Sequence, residues 1–392
     1  MKPQEVNVKR NYTFAALLAL GLCSIAFAPG ASADKNSGDP RGVGDPRFTP
    51  ASSEPACNTR TMASAGGPTL KDKKTLLIRW MGYTNYELVY GDKIILLDNG
   101  YYNRTGTQYK DLGFTAADIT RADLIIIGHA HADHISDTAQ VAYQTGAPVI
   151  GAPITIAKLE TNPPTVNPQQ FITVTGTTGE VLNFPDIGIT VQPILGLHGQ
   201  PPKWTGQFGT VYKSVAPPPT PSEAAAFAAL SARGSTDPNL TTQGEIAYII
   251  TFDTGFRVAY RDSGGFMTDY EKAAMTSIGR VDVLLGAVAA DIIAEPQALV
   301  LLPMIDTYKP AVYIPGHHEE EIGGKPDRAT EPLFQYVKNA HPDIVTVSKE
   351  FREPTCFDTR ATIAKGYQRD NVLGGSVPSN SNLQDWNVPG LF

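Results

Sequence analysis

From Thr75 onward the chain reads as short apolar runs separated by turn residues. Residues 76–80, 86–90 and 93–98 are β-type runs, and Gly91-Asp92 between the last two predicts a hairpin turn. Residues 124–127 form a continuous aliphatic strand, followed by a helical pattern from about Ile135 to Gln144. Strands recur at 148–150 and 189–191. A second set opens near Glu245, with residues 247–252, an Asp253-Thr254-Gly255 turn, and 256–261 running into Asp262-Ser263-Gly264. The earlier hairpin ends in the same way, at Asp98-Asn99-Gly100, so the two look like copies of one unit. Strands at 281–285 and 311–314 extend the second copy. A repeated β-rich unit with interleaved helices predicts an α/β fold of two packed sheets with helices outside. That is a four-layer αββα sandwich, here over residues 75–350.

The flanks break that texture. Residues 1–33 combine a positive start (Lys2, Lys9, Arg10), an apolar run over 14–28 and a small-x-small cleavage site at Ala31-Ser32-Ala33, the pattern of a signal peptide. The run is short for a bilayer core of roughly 30 Å. The mature chain is therefore expected to be exported, periplasmic or secreted, with no stable membrane insertion. Residues 34–74 are rich in Gly, Pro, Ser and Ala and read as an extended N-terminal arm. Residues 351–392 end in a Gly/Asn/Ser-rich stretch and read as a C-terminal tail on the surface. Within the domain, the insertion 199–242 falls outside the repeat. It carries Pro201-Pro202, Pro217-Pro218-Pro219 and an Ala-rich helix over 222–233 with Ser222 as N-cap. A connection of that length inside a compact domain is commonly functional or disordered.

Charge and cysteines narrow the function. The formal net charge of −7 argues against nucleic-acid binding, which rests on Lys and Arg neutralising phosphates. Of three cysteines, Cys23 leaves with the signal. Cys57 and Cys356 remain, either paired in an oxidising compartment or as two separate thiols. No pattern in the chain specifies an oligomeric state.

The strand over 124–127 runs straight into Gly128-His129-Ala130-His131-Ala132-Asp133-His134. A lone histidine is ordinarily a packed core residue. Three histidines and a carboxylate within six positions, at the mouth of a buried strand, are donor types that suit zinc. The other histidines of the seven are His198, His317, His318 and His341. His198, Asp262 and His317 each stand just past a predicted strand, where side chains can converge on one edge of a sandwich. No Gly-x-Ser-x-Gly elbow, P-loop or dinucleotide-binding glycine pattern competes.

The run His-x-His-x-Asp-His, followed by a His, an Asp and a His in later loops, resembles the metallo-β-lactamase superfamily over about residues 76–347. Segments 127–137, 145–149, 258–264 and 311–317 are similar to its ascorbate-phosphate lactonase branch. The resemblance implies that His129, His131 and His198 hold one metal. Asp133, His134 and His317 would hold a second, with Asp262 bridging both. The implied cofactor is a pair of zinc ions, with manganese or iron as alternatives. His317 is favoured over His318 because the family's ligand stands two residues after the strand-end proline, here Pro315. Asp98 matches an early aspartate expected to orient the histidine loop rather than bind metal. Tyr83 is a departure, since relatives in this branch often carry His after the residue matching Gly82.

Two such ions would share a water, lower its pKa toward about 7 and present a bridging hydroxide at neutral pH. Asp133 is the expected catalytic residue, accepting the nucleophile's proton while it holds the second metal. The expected reaction is hydrolysis of a small-molecule lactone, ester or phosphodiester. The alternatives are β-lactam hydrolysis, disfavoured because β-lactamases of this fold generally lack the bridging carboxylate, and a mononuclear iron sulfur-oxidising dioxygenase. The insertion starts directly after His198, so it is a candidate lid whose Trp204, Phe208 and Tyr212 would contact substrate. Tyr83, Tyr101 and Tyr102 would join them from the first hairpin. The other reading is that these aromatics only pin the insertion to the domain.

Overall fold

The computed structural model describes residues 54–101, 112–199, 220–288, 294–318, 326–347 and 350–360; the expected signal peptide, 1–33, lies outside them. Strands β1 (Thr75–Trp80), β2 (Tyr86–Tyr90) and β3 (Lys93–Leu97) form an antiparallel meander. β3 then pairs in parallel with β4 (Leu124–Ile126), β4 with β5 (Val149–Gly151), and β5 with β6 (Phe171–Thr173). In the other sheet β7 (Leu182–Phe184), β8 (Ile189–Leu195), β9 (Ile246–Phe252) and β10 (Arg257–Arg261) are antiparallel neighbours. β10, β11 (Val283–Ala287), β12 (Val312–Gly316) and β13 (Val345–Thr346) follow in parallel. A last strand, β14 (Pro354–Asp358), closes the first sheet beside β1, so each sheet has seven strands among the described residues.

The second sheet shows why this pattern builds layers. Alternate residues Tyr248, Ile250, Val258, Tyr260, Val283, Leu285, Val312 and Ile314 join the core shared with the first sheet. Their neighbours Ala247, Ile249, Ala259, Leu284 and Tyr313 join a separate cluster. That outer cluster is completed by α6 (Asp269–Ile278), α7 (Ala294–Tyr308) and α8 (Pro326–Ala340) through Met275, Leu301, Met304, Ile305, Tyr308, Leu333 and Val337. A strand buried on both faces must be apolar at every position, which is how the parallel runs read in the sequence. Over the first sheet, α2 (Thr138–Thr145) and α3 (Pro153–Leu159) contribute Val141, Ala142, Ile156 and Leu159. The αββα sandwich expected from the repeated hairpins is the observed fold.

Three elements differ from the sequence expectation. The helix expected from Ile135 is two elements, α1 (Ala132–Ile135) within the histidine motif and α2 from Thr138. The break falls at Ser136-Asp137, where the Asp137 N–H bonds the Asn99 carbonyl at 2.8 Å and is lost to the helix ladder. The insertion helix α4 (Pro221–Ser231) begins before Ser222, with Pro221 in the first turn, where its missing N–H costs nothing. A further short helix, α5 (Leu240–Gln243), precedes β9.

The described parts of the two flanks, residues 54–74 and 351–360, are also built into the domain, while 34–53 and 361–392 lie outside the described residues. Ala56, Met62, Ala63 and Leu70 of the expected arm are buried in the main core. Buried Arg79 on β1 and Glu87 on β2 pair at 2.5 Å. Arg79 donates to the carbonyls of Ala56 and Thr59 at 2.9 and 3.1 Å, and Glu87 accepts the Ser64 N–H at 2.7 Å. Unpaired, either charge would be costly at full burial; paired, they fix the arm. In place of a loose tail, residues 354–358 supply the edge strand β14, and a Cys57–Cys356 disulfide joins it to the arm across a sequence separation of 299.

Candidate metal centre

Five strands deliver the candidate residues at their C-terminal ends. β3 and β4 are parallel in the first sheet, and β8, β10 and β12 share a direction in the second, so their following loops line one edge. Asp98 follows β3, the histidine motif follows β4, His198 follows β8, Asp262 follows β10 and His317 follows β12. The donor atoms gather into three overlapping sets: His129, His131 and His198; Asp133, His134 and His317; and His129, His134 and Asp262, each within 4.8 Å. The third set takes one imidazole from each of the others, so Asp262 stands between two triads.

Distances define the arrangement. His129 Nε2 lies 2.9 Å from His131 Nδ1, and the His198 ring meets those of His129 and His131 at centroid distances of 4.6 and 4.5 Å. Asp133 Oδ2 is 3.0 Å from His317 Nε2 and 3.5 Å from His134 Nε2. Asp262 Oδ2 is 2.5 Å from His129 Nδ1 and 3.5 Å from His134 Nδ1. Gly128 makes room for this carboxylate, because a Cβ there would fall 2.0 Å from Asp262 Cγ.

Electrostatics test whether cations fit. Burial first, then the like charges of Asp98 and Glu245, raise the Asp262 carboxyl well above its ordinary value. Asp262 Oδ1 is buried with no hydrogen-bond partner among the described residues, an uncompensated acceptor of the kind a cation satisfies. Burial also depresses His129 and His131, with the neighbouring imidazoles adding to it, and pushes His198 down to about 3. These rings are therefore neutral at pH 7, the form a metal requires. Burial opposes ionisation of Asp133, yet His134, His317 and His131 hold its carboxyl well below the usual range. Neutral imidazoles facing buried carboxylates make a donor set that fits divalent metal ions.

Supporting contacts account for the geometry. Asp98 is fully buried at φ 52°, its Oδ1 accepting the Gly128 N–H at 3.0 Å and its Oδ2 meeting His134 Nδ1 at 2.6 Å. These contacts tie Asp98 to the start of the histidine loop and to its last histidine. Arg261, fully buried, pairs with Glu271 at 2.8 Å and donates to the carbonyls of Leu197 and Phe266 at 3.2 Å each, and to that of Ser263. The Gly199 N–H bonds Ser263 Oγ at 2.8 Å. Arg261 thus clamps the loop carrying His198 to the loop carrying Asp262, and no local pattern in the sequence announces it.

The end of the insertion also touches the site. Ser235 N–H bonds the Ala130 carbonyl at 2.7 Å, Arg233 reaches Asp137 at 3.4 Å, and a Cβ on Gly234 would sit 2.6 Å from Ala132 N. Residues 233–235 brace the histidine loop. Trp204, Phe208 and Tyr212, the expected lid contacts, lie outside the described residues, as does Tyr102. Tyr83 is buried, its ring edge-on to His317 at 5.3 Å. Tyr101 is buried too, packed on Phe114 and accepting from Asn99 Nδ2 at 2.9 Å, so it belongs to the supporting structure. His318 stacks on Trp80 at 4.1 Å, and His341 lies 3.2 Å from Asp306, both outside the three donor sets.

A family model described as a beta-lactamase superfamily domain matches residues 95–292, half of the chain, and covers the histidine motif, His198 and Asp262. This protein belongs to the metallo-β-lactamase superfamily. Among curated relatives of this superfamily member, a UPF0173 metal-dependent hydrolase of Agrobacterium fabrum is 34% identical over 73 residues, which is 19% of this chain and 30% of the relative. A UPF0173 metal-dependent hydrolase of Thermococcus onnurineus is 36% identical over 73 residues, again 19% and 30%. The matched region thus spans less than a third of either relative's length. Among solved structures, Igni18, a metallo hydrolase from Ignicoccus hospitalis, superposes with a TM-score of 0.48 at 15% identity, covering 72% of this chain and 98% of that one.

Proposed function

We propose that this protein is an exported metal-dependent hydrolase holding two zinc ions and cleaving a small-molecule lactone, ester or phosphodiester. The observation that carries the reading is the pair of donor triads about Asp262, whose Oδ1 no described residue engages. His129, His131 and His198 would hold one ion, and Asp133, His134 and His317 the other. Bound there, the ions supply Lewis acidity and lower the pKa of water toward about 7. Asp262 keeps its charge beside them, and Asp98 keeps His134 oriented. Asp133 is 30% exposed against 0% for Asp98 and Asp262, so a proton taken at its Oδ2 has a path to solvent.

Two features support export. The first 33 residues carry the signal-peptide pattern. The Cys57–Cys356 disulfide belongs to an oxidising compartment. No helix among the described residues is long and apolar enough to cross a membrane.

Elemental analysis of the purified mature protein, beside His131→Ala and Asp262→Ala, tests the reading. About two zinc ions per chain, falling in both variants, is the expected result. One iron in place of zinc would favour the dioxygenase alternative, and no metal would overturn the proposal. Lactones and phosphodiesters are the first substrates to screen, with β-lactams as the contrast.

A further inference from the structure

The turn joining β1 and β2 contains none of the candidate ligands, yet it holds two members of the second triad. The Tyr83 carbonyl accepts the His317 N–H at 2.6 Å and the Trp80 indole N–H at 2.6 Å. Gly316 allows this approach, since a Cβ there would lie 2.8 Å from the same oxygen. Next along the turn, Thr84 Oγ1 is 2.9 Å from Asp98 Oδ2 and 2.9 Å from His134 Nδ1, which are themselves 2.6 Å apart. All three residues are buried.

Donor counting fixes the hydrogens in this triangle. An ionised carboxylate only accepts, while a hydroxyl has one hydrogen and two lone pairs. The Thr84 hydrogen goes to Asp98, so the hydrogen shared with His134 comes from Nδ1. A bare Nδ1 would set its lone pair against a carboxylate oxygen at 2.6 Å. His134 is therefore the Nδ1–H tautomer, and its Nε2 lone pair is free on the side of Asp133.

We infer that Thr84 is a positioning residue for the second triad: its hydroxyl donates to Asp98 and accepts from His134, holding in place the carboxylate that sets the His134 tautomer, while the turn it belongs to seats His317. The inference rests on the two-metal reading above. The first triad is held by other means, through Asp262 against His129 and Arg261 on the His198 loop. Loss of the Thr84 hydroxyl therefore separates the two positions.

Zinc titration against a chromophoric chelator, on mature wild type, Thr84→Val and Thr84→Ser, reads this directly. Valine keeps the shape and removes the hydroxyl. In Thr84→Val the first zinc is expected to bind as in wild type and the second about 10–100-fold more weakly, and serine should restore the second. Equal weakening of both ions, or no change in either, overturns the inference. A wild type that binds no zinc refutes the two-metal reading itself. Independently of any variant's folding, ¹⁵N NMR of histidine-labelled, metal-free wild type should show His134 as the Nδ1–H tautomer, assigned by its absence in His134→Gln. An Nε2–H signal would overturn the inference whatever the metals do.

Discussion

The hairpins β2–β3 and β9–β10 each run into an aspartate at the end of a strand that pairs in parallel with the next, Asp98 beside β4 and Asp262 beside β11. Both aspartates are fully buried, and both approach His134 Nδ1, at 2.6 and 3.5 Å. Their surroundings diverge. Asp98 is preceded by Leu97 and has each oxygen engaged, by the Gly128 N–H on one side and by Thr84 and His134 on the other. Asp262 is preceded by Arg261 and leaves Oδ1 without a hydrogen-bond partner among the described residues. The two copies share a position but differ in hydrogen-bond saturation, which is complete at Asp98 and leaves an open acceptor at Asp262.

The largest effect is expected where the copies are forced to match. Arg261→Leu gives the second hairpin the apolar residue of the first and strips buried Glu271 and Glu245 of their cation. A loss of about 3–5 kcal/mol by urea unfolding is expected, because a buried charge without its partner is costly. A loss under about 1 kcal/mol would show that the clamp is dispensable.

Exchanging each aspartate for asparagine should give opposite signs in metal-free protein. Asp98→Asn loses acceptor capacity for Thr84 and His134 and should cost about 1–3 kcal/mol. Asp262→Asn removes a carboxylate whose ionisation burial opposes, so it should leave stability unchanged or raise it while zinc binding falls. Equal destabilisation by both would erase the distinction drawn here. Unfolding in excess chelator, paired with zinc analysis, reads both quantities.

The smallest effect concerns protons. His198 has a folded-state pKa of about 3 against an ordinary 6.5, so between those values the unfolded chain binds more protons and stability is lost as pH falls. The melting temperature of metal-free protein should fall as pH is lowered through that window. His198→Asn should flatten the slope. An unchanged slope would mean that this histidine is not buried neutral.

Much of this was legible because it lies in local pattern. The histidine motif announces itself within six positions, and the paired Asp-polar-Gly hairpins reveal the duplicated sheets. His198, Asp262 and His317 could be picked out because each ends an apolar run. What escaped depends on distant partners. β14 is a five-residue strand whose mate, β1, lies at the opposite end of the chain, so its short apolar stretch at Cys356-Phe357 looked like part of a tail. Thr84 is an ordinary turn residue until Asp98 and His134 fold around it. Arg79 offered a weak signal, a lone cation within a strand otherwise apolar, which points to an internal ion pair. The docking of 233–235 on the histidine loop has no counterpart in periodicity at all.

The disulfide between Cys57 and Cys356 makes the domain a covalent ring closed over a separation of 299 residues. A single cut anywhere inside that ring opens it without releasing either piece. Cleavage within the insertion would leave one fragment bearing β1 to β8 and another bearing β9 to β14, tethered at the outer edge of the first sheet. Their reassembly would be intramolecular, at the millimolar effective concentrations typical of short tethers. Such a molecule can be nicked and remain whole until a reductant arrives.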